Sequence, residues 1–410
     1  MGAPDFATPL VLPCGATIKN RLLKSAMSEQ LADRAHDPTP GLERLYRTWA
    51  EGGVGLQVTG NVMVERAALG EPDNVVLDER SDLGAFERWA KAARAEGAHV
   101  FVQLNHPGKQ SPRFLSKEPV APSAIPLRGR VGRAFRPPRA LREDEIERII
   151  GQFATAARLA QRAGFTGVQI HGAHGYLVSQ FLSPRHNQRT DRWGGDAERR
   201  RRFVLEVHRA IRSAVGREYP ISIKLNSADF LRDGFTQDES MAVVDVLASD
   251  GIDLIEVSGG TYEAPAMMGA MRGRNDAREA YFLDYAERVR ARTRARVPLV
   301  VTGGFRSGPA MRDALRGGAT DMIGIARPLA VYPDLPRRLL ADARAAVVLE
   351  RPSTGLRALD LFAMLDVTWY QAQLERISRG ELARADLGAW RAVAQVVRRI
   401  GVHAFAPLRA

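Results

Sequence analysis

Residues 168–195 read "VQIHGAHGYLVSQFLSPRHNQRTDRWGG", a β-branched run that stops at His171 and gives way to glycine-rich chain carrying His174 and Tyr176. Two imidazoles and a phenol can donate hydrogen bonds, move a proton or ligate a metal. A zinc pair would need a third ligand, usually with cysteine or carboxylate support, and none recurs nearby; the spacing matches no helical metal site. A structural reading also stands, because a loop histidine in isolation more often satisfies its own neighbours than a substrate. The residues that the rest of the chain delivers to the same place decide between these readings.

Short β-branched runs alternate with amphipathic stretches along most of the 410 residues. Candidate strands are Leu22–Met27, Leu56–Val62, His99–Leu104, Gly167–His171, Ile221–Asn226, Leu254–Ser258, Leu299–Thr302 and Met322–Ala326. Between them lie helical patterns such as "LERLYRTWAEGG" and "EDEIERIIGQFATAARLAQRAG", several ending in glycine, a usual helix stop. Strand–helix units repeated in this way predict an α/β protein, a closed (β/α)8 TIM barrel. A doubly wound sheet is the alternative, but no strand is followed by Gly-x-Gly-x-x-Gly. In a barrel, reactive side chains stand at the C-terminal ends of the strands, which is where His171 falls. "LVLPCGATIKN" (10–20) reads as an N-terminal β-hairpin capping the barrel bottom, and the chain after "RPSTG" (351–355) as a helical C-terminal tail. The division is a barrel over 1–350 and a helical extension over 351–410. The proline- and arginine-rich insert from Pro107 to Arg139 is long enough to cover a site.

The other strand ends bring "KSAMSEQ" (24–30), "VTGN" (58–61), "VQLNH" (102–106), "IKLNS" (223–227), "TGGFRS" (302–307) and "GIARPL" (324–329). A glycine pair after the seventh strand, Gly303 and Gly304, with Arg327 after the eighth, matches the phosphate site of many barrels. Gln103 offers an amide that both donates and accepts, Lys224 a fixed cation and Ser28 a hydroxyl. Together they suit an isoalloxazine ring, with the amide on its pyrimidine edge and the cation near N1, where reduction places negative charge.

Composition narrows the class further. Apolar residues make up 45% and charged residues 26% of the chain, ordinary globular values. The net charge of +12 could attract nucleic acid, anionic lipid or a phosphorylated ligand, or could be a solvated arginine-rich surface. A single cysteine, Cys14, excludes an intramolecular disulfide and a cysteine-held iron–sulfur cluster. No leader pattern or membrane-length apolar run is evident, so the expectation is a cytoplasmic protein acting on a small molecule, without nucleic-acid or membrane partners; a homo-oligomer is left open.

"PLVLPCGATIKNRLLKSAMSE", "QLNHPGKQ", "IHGAHGYLVSQFLSPRHNQRTDRWGG" and "GGTYEAPA" together resemble the Old Yellow Enzyme family of FMN-dependent NAD(P)H oxidoreductases. The resemblance implies FMN as cofactor, NADH or NADPH as electron donor, and hydride delivery to the β-carbon of an activated alkene. It places FMN on Ser25, Ala26, Met27, Ser28, Gly60, Gln103 and Lys224, with phosphate contacts on Gly303, Gly304, Phe305, Ala326 and Arg327. His171 and His174 would donate hydrogen bonds to the substrate carbonyl, and Tyr176 would protonate the α-carbon. Ala26 and Ser28 stand where Pro and Thr or Cys are common in the family, and Gln30 where some members have a substrate-binding tyrosine. Lys224 and Ala326 replace a frequent Arg and Gly.

Two other activities compete: a flavin-dependent tRNA-uridine reductase, which would use the basic surface but needs a cysteine acid, and a flavin-free phosphate-binding lyase or isomerase. Arg189 and Asp191 in "RTDRWGG" would brace a loop rather than form a second site, "EAPAMMGAMRGR" (263–274) would contact nicotinamide phosphate or substrate or simply pack, and Trp369 and Tyr370 would pack a terminal helix or else reach toward a mouth, whether their own or a neighbouring subunit's.

Overall fold

The computed structural model describes residues 3–259, 275–293, 296–305, 307–342, 344–345, 349, 352–356, 359–360 and 364–394. Eight parallel strands form the barrel: β1 (Leu22–Lys24), β2 (Leu56–Met63), β3 (His99–Asn105), β4 (Gly167–Gly172), β5 (Ile221–Asn226), β6 (Leu254–Ser258), β7 (Leu299–Thr302) and β8 (Met322–Ile325). Each pairs with the next, and β8 returns to β1 through Ile323↔Leu22 and Gly324↔Leu23, which closes the cylinder. The strands sit where the β-branched runs predict them. β1 is shorter than expected, because from Ser25 onward the chain leaves the sheet, with Ser25 N–H on the carbonyl of Ile325 at 2.8 Å as a last link to β8.

The crossovers are helices whose apolar residues recur at helical spacing. In α1 (Pro40–Glu51) the buried set is Leu42, Leu45, Tyr46, Trp49 and Ala50, one stripe against the barrel wall. α2 (Leu83–Ala93) starts on Asp82, whose carboxylate accepts from Gly84 N–H. α3 (Glu143–Arg162) and the six-residue α4 (Leu177–Leu182) flank β4. They are followed by α5 (Ala197–Val215), α6 (Gln237–Ser249), α7 (Asn275–Thr293), α8 (Gly308–Arg316), α9 (Arg327–Val331) and α10 (Leu335–Ala341). The tail contributes α11 (Leu365–Ser378). No described helix is long and apolar enough to cross a membrane.

Inward positions explain why the lower barrel is a plug and the upper barrel a site. Leu23, Leu56, Val58, Phe101, Leu254, Val300 and Met322 fill the lower half together with Leu10, Leu12 and Ile18 of the hairpin formed by Leu10–Val11 and Thr17–Ile18. Gly167 admits Phe101 here, since a Cβ at 167 would lie 2.4 Å from the Phe101 ring. One step higher along the pleat the inward side chains become polar: Ser25, Gln103, Gln169, Lys224, Glu256 and Thr302. That change of chemistry along the barrel axis marks where a ligand can sit.

Candidate active site at the C-terminal mouth

The polar layer is one connected network. Gln103 Nε2 donates to Gln169 Oε1 (2.7 Å), Gln169 Nε2 to Glu256 Oε2 (2.9 Å) and Thr302 Oγ1 to Glu256 Oε1 (2.7 Å), while Ser25 donates its hydroxyl to the same carboxylate. Lys224 Nζ lies 3.0 Å from Glu256 and donates to Ser25 Oγ at 2.9 Å. Burial pushes the Glu256 carboxyl up, but Lys224 and the bonds from Ser25, Thr302 and Gln169 outweigh it and hold Glu256 below the ordinary carboxylate value. Glu256→Ala would leave Lys224 buried without its counter-charge, a loss of ~3–5 kcal/mol for breaking a buried pair. Urea unfolding of the two proteins measures this; Glu256→Gln, which keeps hydrogen-bonding capacity, is expected to lose less.

Above this layer stand His171, His174 and Tyr176. His171 stands one residue before the end of β4, with its ring 5.1 Å from that of His174 and 4.8 Å from that of Tyr176, both edge-on. Nδ1 of His171 accepts from Ala173 N–H (3.3 Å), which puts the ring hydrogen on Nε2. His174 has a left-handed backbone (φ 62) beside Gly175 (φ 79), an uncommon conformation for a side-chain-bearing residue that clusters at functional sites. It is clamped on three sides: its N–H donates to Asn226 Oδ1 (3.3 Å), its carbonyl accepts from Gln110 Nε2 (3.0 Å), and its Nε2 lies 2.7 Å from Ser258 Oγ. With Ser258 donating, Nδ1 of His174 carries the ring hydrogen. The Tyr176 hydroxyl receives Asn61 Nδ2 at 3.4 Å. No group of three metal-ligating side chains occurs among the described residues.

Burial lowers both imidazoles, helped at His171 by His174 and Lys224 and at His174 by Lys224, which leaves His174 at about 3 and His171 well below its usual value. Both rings are therefore neutral at physiological pH. The linkage follows: between the unfolded value near ~6.5 and the depressed native values, the unfolded chain binds protons that the native protein does not. Stability contributed by these groups is present above pH ~6.5 and is lost as pH falls. Urea unfolding at pH 5 and pH 7.5 should show this loss, and His174→Gln should reduce the slope; an unchanged slope would contradict the assignment.

The remaining sequence candidates also collect at this mouth. Ala26 and Met27 are half-buried where β1 leaves the sheet, and Gly60 lies so close that a Cβ would be 2.5 Å from the Met27 carbonyl. Gly303 (φ 85) and Gly304 (φ 92) end β7, and a Cβ at Gly303 would project into open space. Phe305 packs half-buried below them, and Ala326 precedes Arg327, whose guanidinium lies 5.9 Å from the Tyr370 ring. Ser28 differs from its expectation in one respect: its hydroxyl donates to Glu71 (2.6 Å) and receives Gln371 (2.8 Å). Arg189 braces its loop, bonded to Asp191 and to the carbonyls of Pro122 and Leu141. Residues 263–274 lie outside those described.

Sequence reasoning missed Glu256, Gln169, Asn61, Glu71 and Gln371. A charged residue inside the apolar run Leu254–Ser258, and a glutamine inside "VQIH", are the signals that could have found the first two. Between the barrel wall and α1 it also missed a fully buried Lys24, which donates to Val58 O (2.8 Å), Glu29 (3.2 Å) and Tyr46 (3.0 Å), while Tyr46 takes Gly60 N–H at 3.0 Å. Burial is the main cause that lowers Lys24, to about 8.

The donor set fits a flavin mononucleotide. Lys224 uses two of its three hydrogens on Ser25 and Glu256, and Gln103 uses one amide hydrogen on Gln169. Among the described residues, Asn61 Oδ1, both amide atoms of Asn105 and Ser227 Oγ are buried at these strand ends without a protein partner. Buried orphans of that kind cost ~1–3 kcal/mol each, a cost that a polar ligand removes. The open glycine pair with Arg327 suits a phosphate.

Comparison with known proteins agrees. The chain is 40% identical over 355 residues to the NADH-dependent flavin oxidoreductase iliE of Hypocrea jecorina (strain QM6a), covering 81% of this chain and 88% of that protein. Its fold superposes on the Old Yellow Enzyme homologue from Zymomonas mobilis with a TM-score of 0.70 at 27% identity, covering 84% of this chain and 95% of that one. Morphinone reductase in complex with tetrahydroNAD gives 0.69 at 27% identity, with 86% and 93% covered. Residues 7–345 match the NADH:flavin oxidoreductase / NADH oxidase family, and the chain belongs to it: an Old Yellow Enzyme-type, FMN-dependent oxidoreductase with a nicotinamide electron donor.

Proposed function

We propose that this oxidoreductase is an ene-reductase that saturates the activated C=C bond of α,β-unsaturated carbonyl compounds and related electron-poor alkenes. The observation that carries the reading is the group of His171, His174 and Tyr176 at the end of β4, two neutral imidazoles and a phenol, with the His171 ring 5.1 Å from that of His174 and 4.8 Å from that of Tyr176. Ser25, Ala26, Met27, Gly60, Gln103 and Lys224 would hold the FMN ring, with Ser28 beside it but its hydroxyl turned to Glu71 and Gln371, and Gly303, Gly304, Phe305, Ala326 and Arg327 would hold the phosphate. When bound, FMN supplies reversible hydride transfer between the nicotinamide and an electron-poor carbon.

The side chains do the rest. His171 through Nε2–H and His174 through Nδ1–H donate to the substrate carbonyl oxygen, where negative charge develops, and each needs to be neutral only to keep one hydrogen. Held by Ala173 and Ser258 respectively, neither ring needs to reorganise as that charge grows. Tyr176 holds the proton destined for the α-carbon, with Asn61 donating to its oxygen and so easing loss of the proton. Lys224, fixed by Glu256, supplies positive charge beside the ring site. A tRNA-uridine reductase reading lacks its acid: Cys14 lies in the hairpin at the opposite end of the barrel, and burial raises its thiol to about 11.

Anaerobic titration with NADH and with NADPH, followed by mixing with cyclohexenone, a maleimide and a nitroalkene, tests the proposal. Bleaching of the yellow protein by a nicotinamide and its return on adding an electron-poor alkene are expected. Bleaching that none of these acceptors reverses would refute it.

A further inference from the structure

At the exit of β1 three distant parts of the chain meet on one hydroxyl. Ser28 Oγ donates to Glu71 Oε2 at 2.6 Å, accepts from Gln371 Nε2 at 2.8 Å, and has Gln30 Nε2 at 3.5 Å. A hydroxyl offers one hydrogen and two lone pairs, so its hydrogen and its lone pairs are all engaged here. Gln371 arrives from α11, 343 residues along the chain, and is 7% exposed. Its helix is fastened by Trp369 Nε1 on the Leu387 carbonyl (2.7 Å) and by Arg44 on the Ser378 carbonyl (2.5 Å). The tail therefore builds part of the mouth within the same chain.

We propose that Glu71 and Gln371 are positioning residues for Ser28: by holding its hydrogen away from the cofactor site, they set how readily the bound flavin is reduced. The proposal rests on the reading of the site as an FMN site. A hydrogen bond to a carboxylate is about twice as strong as one between neutral partners, so an ionised Glu71 keeps the Ser28 hydrogen. A neutral group at 71 holds it about half as strongly, and a hydroxyl able to turn and donate to the ring favours the electron-rich, reduced form. Burial raises the Glu71 carboxyl, and the negative charge of Glu29 adds to that; Ser28, Gln30 and Asn74 oppose it. Glu29 is the charged group facing Glu71, and it is itself met by Lys24 and Tyr46. The groups from α11 and from the turn around Glu71 are the neutral amides of Gln371 and Asn74.

The test is the midpoint potential of the FMN holoenzyme, measured by equilibration with a reference dye. Glu71→Gln is expected to shift the two-electron equilibrium at least tenfold toward reduced flavin, which corresponds to ~30 mV. Ser28→Ala alone should move it little, and the double variant should lose most of the Glu71→Gln shift. The wild-type potential should bend with pH as Glu71 takes up its proton, and Glu71→Gln should lack that bend. Gln371→Leu should move the potential in the same direction by a smaller amount and displace the visible absorption band. No shift in Glu71→Gln, or a shift that persists undiminished without the Ser28 hydroxyl, would overturn the positioning role. Failure of the unaltered protein to hold FMN would instead overturn the cofactor site itself.

Discussion

Replacing Tyr176 with phenylalanine is expected to slow reoxidation of the reduced enzyme by cyclohexenone ~10²–10⁴-fold, the range a positioned general acid contributes, and to leave reduction by NADH unchanged. The asymmetry is the point of the prediction. Tyr176 is 4% exposed, packs edge-on against His171 and shares a hydrogen bond with Asn61, so a phenylalanine keeps the packing and loses only the proton. Rapid mixing of the two half-reactions separately measures it, and equal slowing of both would mean that the ring, not its hydroxyl, matters. Asn61→Leu should slow the same half-reaction by less, because it removes support for the phenolate oxygen but not the acid.

The second large effect belongs to the imidazoles. His171→Ala combined with His174→Ala should retain the yellow colour yet lose enone turnover by at least the ~10²–10³-fold that one oxyanion donor is worth. Binding of a phenol, whose oxygen occupies the same kind of position, should weaken in parallel. The two positions are not equivalent in the backbone. At φ 62, His174 sits where alanine is disfavoured and asparagine is tolerated, so His174→Asn, which also keeps a donor, should retain more activity than His174→Ala. Equal loss in both variants would contradict a donor role at this position.

The architecture was legible because its physics is local. Strands buried on both faces must be β-branched runs, and the polar residues at their C-terminal ends, His171, Gln103 and Lys224, interrupt those runs in plain view. The glycine pair proposed to take the phosphate was visible for the same reason, since Gly303 and Gly304 follow a strand directly. Glu256 and Gln169 interrupt their runs in the same way, but what they do was not legible, because their partners come from other strands. Gln371 left no local signal at all: an amphipathic tail helix reads as core packing, and only the closed fold brings it to Ser28. The network around Lys24 was hidden likewise, its partners lying at Glu29, Tyr46 and Val58.

Carbonyl activation by the two imidazoles and proton delivery by Tyr176, at the mouth of an FMN barrel, are the core of the proposed reaction. Isotope placement in the product tests this most directly. Turnover of cyclohexenone with 4-deuterated NADH in ordinary water, and with NADH in heavy water, is predicted to put the cofactor-derived deuterium at the β-carbon and the solvent-derived deuterium at the α-carbon, with α-labelling slowed in Tyr176→Phe. Reduced enzyme that is reoxidised only by dioxygen, or a product whose α-proton arrives at the same rate without the Tyr176 hydroxyl, would contradict it.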